Sequence, residues 1–368
     1  MALSRRALLS LLAAGLVRPA SVQAGADPSV DRSAVPSFAT TWQTPEGRFQ
    51  AGLVSQTGDS LQVHDLPARG HGMASDPTGS RVAVFARRPG DFAVVFDGVT
   101  GRLLADIFAA PGRHFYGHGC FAADGTLLYA TENDYEGERG VIGVYDATER
   151  FRRIGEFSSH GIGPHEICRH PDGRTLVVAN GGILTHPAAP RAKLNLAEMA
   201  PSVAFVAASD GRLLHAVAPP ADLHRLSLRH LDVTLDGSVV VVAQWEGNPL
   251  DQPPLVGLTR LGAPLTLVSA PQGAQQRMKN YCGSVAVSAD GRSFAVTSPR
   301  GGVATLWRYD GRFLASSELR DVCAVDAMPG GFLLTSGEGW LARLHQAGLQ
   351  PIARHGRRFD NHLLRLSS

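Results

Sequence analysis

Polar and apolar positions along this chain change over in short runs, not at helical spacing. Apolar runs rich in Val, Ala and Leu recur at Arg81 to Ala86, Leu127 to Thr131, Thr175 to Asn180, Ser238 to Gln244, Ser293 to Ser298 and Phe332 to Ser336. Short apolar runs bounded by turn residues predict buried strands. Each follows a tight turn: Asp76-Pro77-Thr78-Gly79, Ala123-Asp124-Gly125, Pro171-Asp172-Gly173, Leu235-Asp236-Gly237, Ala289-Asp290-Gly291 and Met328-Pro329-Gly330-Gly331. The glycines of these turns supply the positive φ that a tight hairpin requires. A second set of turns, at Asp97 to Gly101, Asp146 to Thr148, Ser209 to Gly211 and Tyr309 to Gly311, leads into further short strands. Four strands per unit, repeating about every 40 to 50 residues, predict an all-β chain folded as a single β-propeller. An α/β fold would need helical periodicity between the strands, and there is almost none.

The six turn signals mark six units. The segment from Thr41 to Leu66 adds strands ahead of the first, and a C-terminal strand from Asn361 to Leu366 can complete that N-terminal blade and close the ring. The expected architecture is seven four-stranded blades of about 49 residues each, with six or eight as alternatives. Residues Ile183 to Ser202 form an insertion in the longest spacing, expected as a short helix or a loop over one face.

The N-terminus carries Ser4-Arg5-Arg6-Ala7-Leu8-Leu9, a twin-arginine signal, followed by an apolar run to Val17 that is too short to span a bilayer. Cleavage after Val22-Gln23-Ala24 predicts residues 1–24 as a signal peptide, 25–40 as a flexible leader and 41–368 as the propeller domain, exported folded to the periplasm. Without Arg5, Arg6 and Arg18, the 35 basic side chains fall to 32 against 33 acidic ones, a net charge of −1. No concentrated basic face points to nucleic acid, and no later stretch is apolar enough for a membrane span. The four cysteines, Cys120, Cys168, Cys282 and Cys323, could pair in an oxidising compartment, but small buried apolar residues are the plainer reading.

Candidate chemistry lies just before the first turns, where the innermost strand of each blade lines the channel. Gly70-His71-Gly72, Gly117-His118-Gly119, Gly163-Pro164-His165-Glu166, Arg229-His230-Leu231-Asp232 and Asp321-Val322-Cys323 place a histidine or cysteine seven or eight residues ahead of a turn glycine. Ring symmetry brings such positions together on the axis. His71, His118, His165, His230 and Cys323 are therefore candidate ligands of a transition metal, since imidazole suits iron, copper or zinc and thiolate adds a soft donor. Glu166 and Asp232 are candidate oxygen ligands or partners of the histidines, and the flanking glycines allow close backbone approach. The ordinary alternative is a set of histidines satisfying buried backbone groups. Glu132 and Asn133 could line one mouth, although such residues also simply make turns there. Arg277, Lys279 and Arg300 could form an anion-binding rim, with surface solvation the plainer account. No catalytic nucleophile motif, phosphate-binding loop or haem-attachment motif is present.

Several segments resemble the DUF1513 proteins: Gly117-His118-Gly119, Leu128 to Asp134, Gly161 to Glu166, Lys193 to Leu196, Met199 to Ser202 and Arg229 to Asp232. The resemblance covers nearly the whole mature chain. It implies an exported, propeller-like protein and association with imelysin-like and di-haem periplasmic partners in iron handling; it implies no catalytic residues. The expectation is a periplasmic metal-linked binding protein. The rivals are a metal-assisted propeller enzyme, of hydrolase, lactonase or oxidoreductase type, and a metal-free interaction scaffold.

Overall fold

The computed structural model describes residues 37–189 and 192–366, so the signal segment and most of the leader lie outside the described residues. Seven four-stranded antiparallel sheets form seven blades. Blade 1 runs outward from Gly70–Ser75 through Arg81–Ala86 and Phe92–Asp97 to Leu103–Phe108. The inner strands of blades 2 to 6 are Arg113–Phe121, Pro164–Arg169, Leu226–Val233, Ser284–Val287 and Val322–Met328. Blade 7 is closed by the chain ends: its inner strand, Arg358–Arg365, pairs antiparallel with Phe38–Gln43. The first strand thus begins at Phe38, inside the segment expected as leader.

The turns form as their residues dictate. Gly79 and Gly237 take φ of 71° and 82°, a conformation that side chains with a Cβ rarely adopt. The second strands are buried on both faces because each blade packs against its neighbours. Val82, Ala83, Val84, Phe85 and Ala86 are all fully buried. Phe85 belongs to a cluster with Phe115, Leu128 and Tyr145 of blade 2. Burying an aliphatic or aromatic side chain of this kind contributes about 1.5–3 kcal/mol, so the blade interfaces carry the fold.

Helix is confined, among the described residues, to Gln272–Arg277 and the 3-10 turns Ala221–Leu223 and Pro299–Gly301. None is long and apolar enough to cross a membrane. The described part of the insertion is a loop, not a helix, pinned by Asn195, whose side chain accepts from the Leu184 amide and donates to the Gly182 carbonyl.

Carboxylates tie neighbouring inner strands together. Asp232 accepts the amide of Val287 from blade 5 at 2.8 Å and that of Val233 beside it. Asp326 does the same with Arg365 of blade 7 and Ala327. Glu166 accepts the Leu231 amide of blade 4 at 3.1 Å.

Candidate metal centre

In five blades the pairing of the inner strand with its neighbour slips at or next to a histidine. The irregularities fall between Gly70 and Met73, Phe115 and Gly119, Pro164 and Glu166, Leu228 and His230, and Phe359 and Leu363. A bulge re-aims a side chain, and these aim His71, His118, His165, His230 and His362 into one layer on the axis. Nine of their ten pairings have ring centroids 4.6 to 6.4 Å apart. All five are buried. The glycines beside them make the approach fit: a Cβ on Gly72 would stand 2.4 Å from the Gly117 carbonyl oxygen and 2.5 Å from His118 Nδ1.

Two ligand groups overlap at His118. One atom each from His118, Glu166, His230 and His362 lies within 4.8 Å of the others, and so does one each from His71, His118 and His165. Glu166 stands 2.9 Å from His230 Nδ1 and 3.3 Å from His118 Nδ1. Burial works against its charge, but the two imidazoles outweigh burial and hold its carboxyl well below the usual range. Burial depresses the histidines: His71 falls to about 3, and His165, His230 and His362 also fall, despite Asp360 beside His71 and Glu166 beside His230. These four are neutral at pH 7, the form that ligates a metal. Four nitrogens of the layer have no hydrogen-bond partner: His71 Nδ1, His118 Nε2, His165 Nδ1 and His362 Nε2. His71 Nδ1 is 3.5 Å from Asp360 Oδ1 without the alignment of a bond.

His362, in the closing strand Arg358–Arg365, lacks the seven- or eight-residue spacing to a turn glycine that marks the other four histidines in the sequence. Cys323 does not join the layer. The tethers set the register: Asp232 lies two residues after His230, so the matching place before Asp326 is Ala324. Cys323 is one residue off and points to the other face, into a cluster with Phe38, Trp42 and Leu333. Its thiol faces the Thr335 and Phe359 carbonyls, and burial pushes it up to about 12, away from the thiolate a metal takes. The same register puts Ser284 at the blade 5 position, three residues before the tethered Val287. All four cysteines are free.

Glu132 and Asn133 line no mouth. Glu132 is fully buried inside blade 2, accepting from Tyr145 at 2.6 Å and Arg153 at 2.9 Å. Asn133 donates to the Thr185 carbonyl and sits 3.0 Å from His114 Nε2. Arg277 bonds Ser316 Oγ and Lys279 is exposed, whereas Arg300 does reach the channel.

The histidine layer divides the channel. On the side where the inner strands end lies a chamber of about 330 Å³, lined by His118, His362 and the carboxylates Glu166, Asp232 and Asp326. On the side where they begin lies a cavity of about 180 Å³, floored by His71, His165 and His230. Burial raises Asp232 to about 7 and Asp326 to about 6, against the backbone amides that each accepts. A folded value above the unfolded 3.8 means that Asp326 favours folding most at low pH and loses that contribution as pH rises through about 6. Between pH 4 and pH 7 the wild type is expected to lose about 2 kcal/mol relative to Asp326→Asn, part of the full shift being screened by chamber water. Urea unfolding of both proteins at the two pH values checks this; parallel pH profiles would show that folding does not raise Asp326 above its unfolded value.

Seven blades closed by the chain's own ends, with imidazoles from five of them meeting on the axis, define a β-propeller with a candidate metal centre. The chain belongs to the family described as protein of unknown function DUF1513, whose model matches residues 64–366. No curated protein matches the sequence. Among solved structures, hydrazine synthase of Kuenenia stuttgartiensis is similar with a TM-score of 0.61 at 15% identity, over 90% of this chain and 99% of that one. At that identity the likeness speaks for the fold alone.

Proposed function

We propose that this is an exported periplasmic propeller that binds one transition-metal ion, iron foremost, in its histidine layer and serves metal acquisition. The observation that carries the reading is the set of four buried imidazole nitrogens without hydrogen-bond partners, on four histidines of one layer. A buried polar atom left unsatisfied costs about 1–3 kcal/mol, and native folds keep few of them. A cation among these nitrogens offsets that cost at several sites at once. The larger ligand group, His118, Glu166, His230 and His362, offers three imidazoles and a carboxylate to one ion, a donor set that suits iron, copper or zinc. The twin-arginine segment at Ser4 to Leu9 supports export, and the resemblance to DUF1513 proteins, which implies iron-linked neighbours, supports the choice of iron.

Elemental analysis of protein from the periplasmic fraction tests this beside a His118→Ala/His165→Ala double variant. The expected result is about one equivalent of metal in the wild type and a loss of at least roughly tenfold in the variant. Wild type that is metal-free and does not bind added iron, copper or zinc would overturn the metal reading in favour of a scaffold for imelysin-like or di-haem partners. Recovery only from the cytoplasm would overturn export.

A further inference from the structure

The cavity on the strand-start side of the histidine layer is far more basic than the chain as a whole. Arg87, Arg88, Lys193, Arg229 and Arg300 line it, with Glu246 as the only lining carboxylate among the described residues. Glu246 is already engaged: Lys193 pairs with it, and Arg229 Nη2 stands 3.6 Å away. Asp360, behind the cavity, pairs with Arg69 and lies 4.0 Å from Arg87 Nη1. Arg88 makes no hydrogen bond or ion pair among the described residues, and Arg300 only stacks on Tyr281, its guanidinium carbon 4.2 Å from the ring centroid. Arg229 is 7% exposed, and its Nε has no hydrogen-bond partner.

Gathering this much like charge in a partly closed space is unfavourable unless negative charge answers it. Guanidinium groups present forks of donors that fit carboxylates two bonds at a time. Tyr116, Tyr281 and Gln244 add neutral polar groups to the wall.

Position says more about the ligand. Arg87 and Arg88 follow the second strand of blade 1, while Lys193, Arg229 and Arg300 come from blades 3, 4 and 5 across the opening. Cations on opposing walls suit a molecule with an anionic group at each end better than a single compact anion. A cavity of about 180 Å³ leaves room for a small organic acid.

We propose that this basic cavity binds a small di- or tricarboxylate, held between the blade 1 arginines and the Arg229 side of the mouth. The site stands on its own residues and does not depend on a metal in the layer beneath.

Calorimetric titration with tricarballylate tests it, using the full mature chain as purified and again after passage over a chelating resin. The stripped sample reads anion binding alone, so a failure of the metal reading leaves this result interpretable. The expected outcome is saturable binding in both samples, weakened by high salt and roughly tenfold weaker in both Arg229→Gln and Arg88→Gln. Arg88 is only partly buried and forms no internal bond, so its variant keeps the test alive if Arg229→Gln does not fold. Absence of saturable binding to the wild type, or equal affinity in the folded variants, would overturn the proposal. Inorganic phosphate binding as tightly as tricarballylate would overturn the carboxylate assignment.

Discussion

Glu166→Ala is expected to lower the affinity for a metal in the histidine layer roughly 10- to 100-fold. Its two oxygens stand against Nδ1 of His118 and Nδ1 of His230, so one carboxylate orients imidazoles from two blades. With Nδ1 held as donor, the opposite nitrogen of each ring carries the lone pair a metal needs, and His118 Nε2 is among the unpartnered atoms. The negative charge also offsets that of a bound cation. Alanine frees both rings and strands the Leu231 amide that Glu166 accepts, which costs about 1–3 kcal/mol of stability besides. Glu166→Gln separates these effects. It keeps the volume and one acceptor oxygen but removes the charge, so its affinity should fall between wild type and alanine with little loss of stability. Competition titration with a chromogenic chelator reads the affinity, and urea unfolding reads the fold. Wild-type affinity in both variants would remove Glu166 from the metal centre.

Glu132→Ala is expected to act the other way round, costing about 3 kcal/mol of stability with metal affinity unchanged. Glu132 is a fully buried carboxylate, and the space it fills exists because residue 143 is glycine: a Cβ there would lie 1.8 Å from its Oε1. Removing it deprives the buried Tyr145 hydroxyl of its acceptor and Arg153 of one of two carboxylates, Glu156 at 2.8 Å being the other. The retained Glu156 contact keeps the loss toward the lower end for a broken buried pair. A shifted urea midpoint with normal metal content supports this purely architectural role. A loss of metal at unchanged stability would return Glu132 to the site.

The burial of Glu132 against Tyr145 and Arg153 has a cause that bears on the whole chain. Thr131-Glu132-Asn133-Asp134 looks like the polar end of a strand, and a pattern of residue types does not show whether a carboxylate at such a place faces a mouth or an arginine two strands away. Arg153 lies 21 residues on, and only the sheet brings it alongside. Asn133 and His114 repeat the lesson across 19 residues. Cys323 failed on register: the seven-residue count to its turn glycine matches that of His118 and His230, but the bulge in its own blade leaves it one residue out of phase, and one residue exchanges the faces of a strand.

Local chemistry repeated along the chain was enough to determine the propeller. Each tight turn needs a residue tolerant of positive φ, each strand between blades needs apolar side chains on both faces, and the period between turns sets the number of blades. These are short-range requirements, so they are written in the order of residues, and the closing role of the C-terminal strand follows from counting them. The Gly-His-Gly segments likewise announced that histidines would reach the axis. What the tertiary structure decided is everything that depends on distance between blades: that His362 completes the layer, that Glu166 bridges two of its histidines, that Ala324 and Ser284 fill the remaining places, and that arginines from opposite walls share one mouth. Those contacts join residues tens to hundreds of positions apart, and their geometry is fixed by bulges and by inter-strand tethers. Those features shift a side chain from one face to another without changing the composition from which a sequence is read.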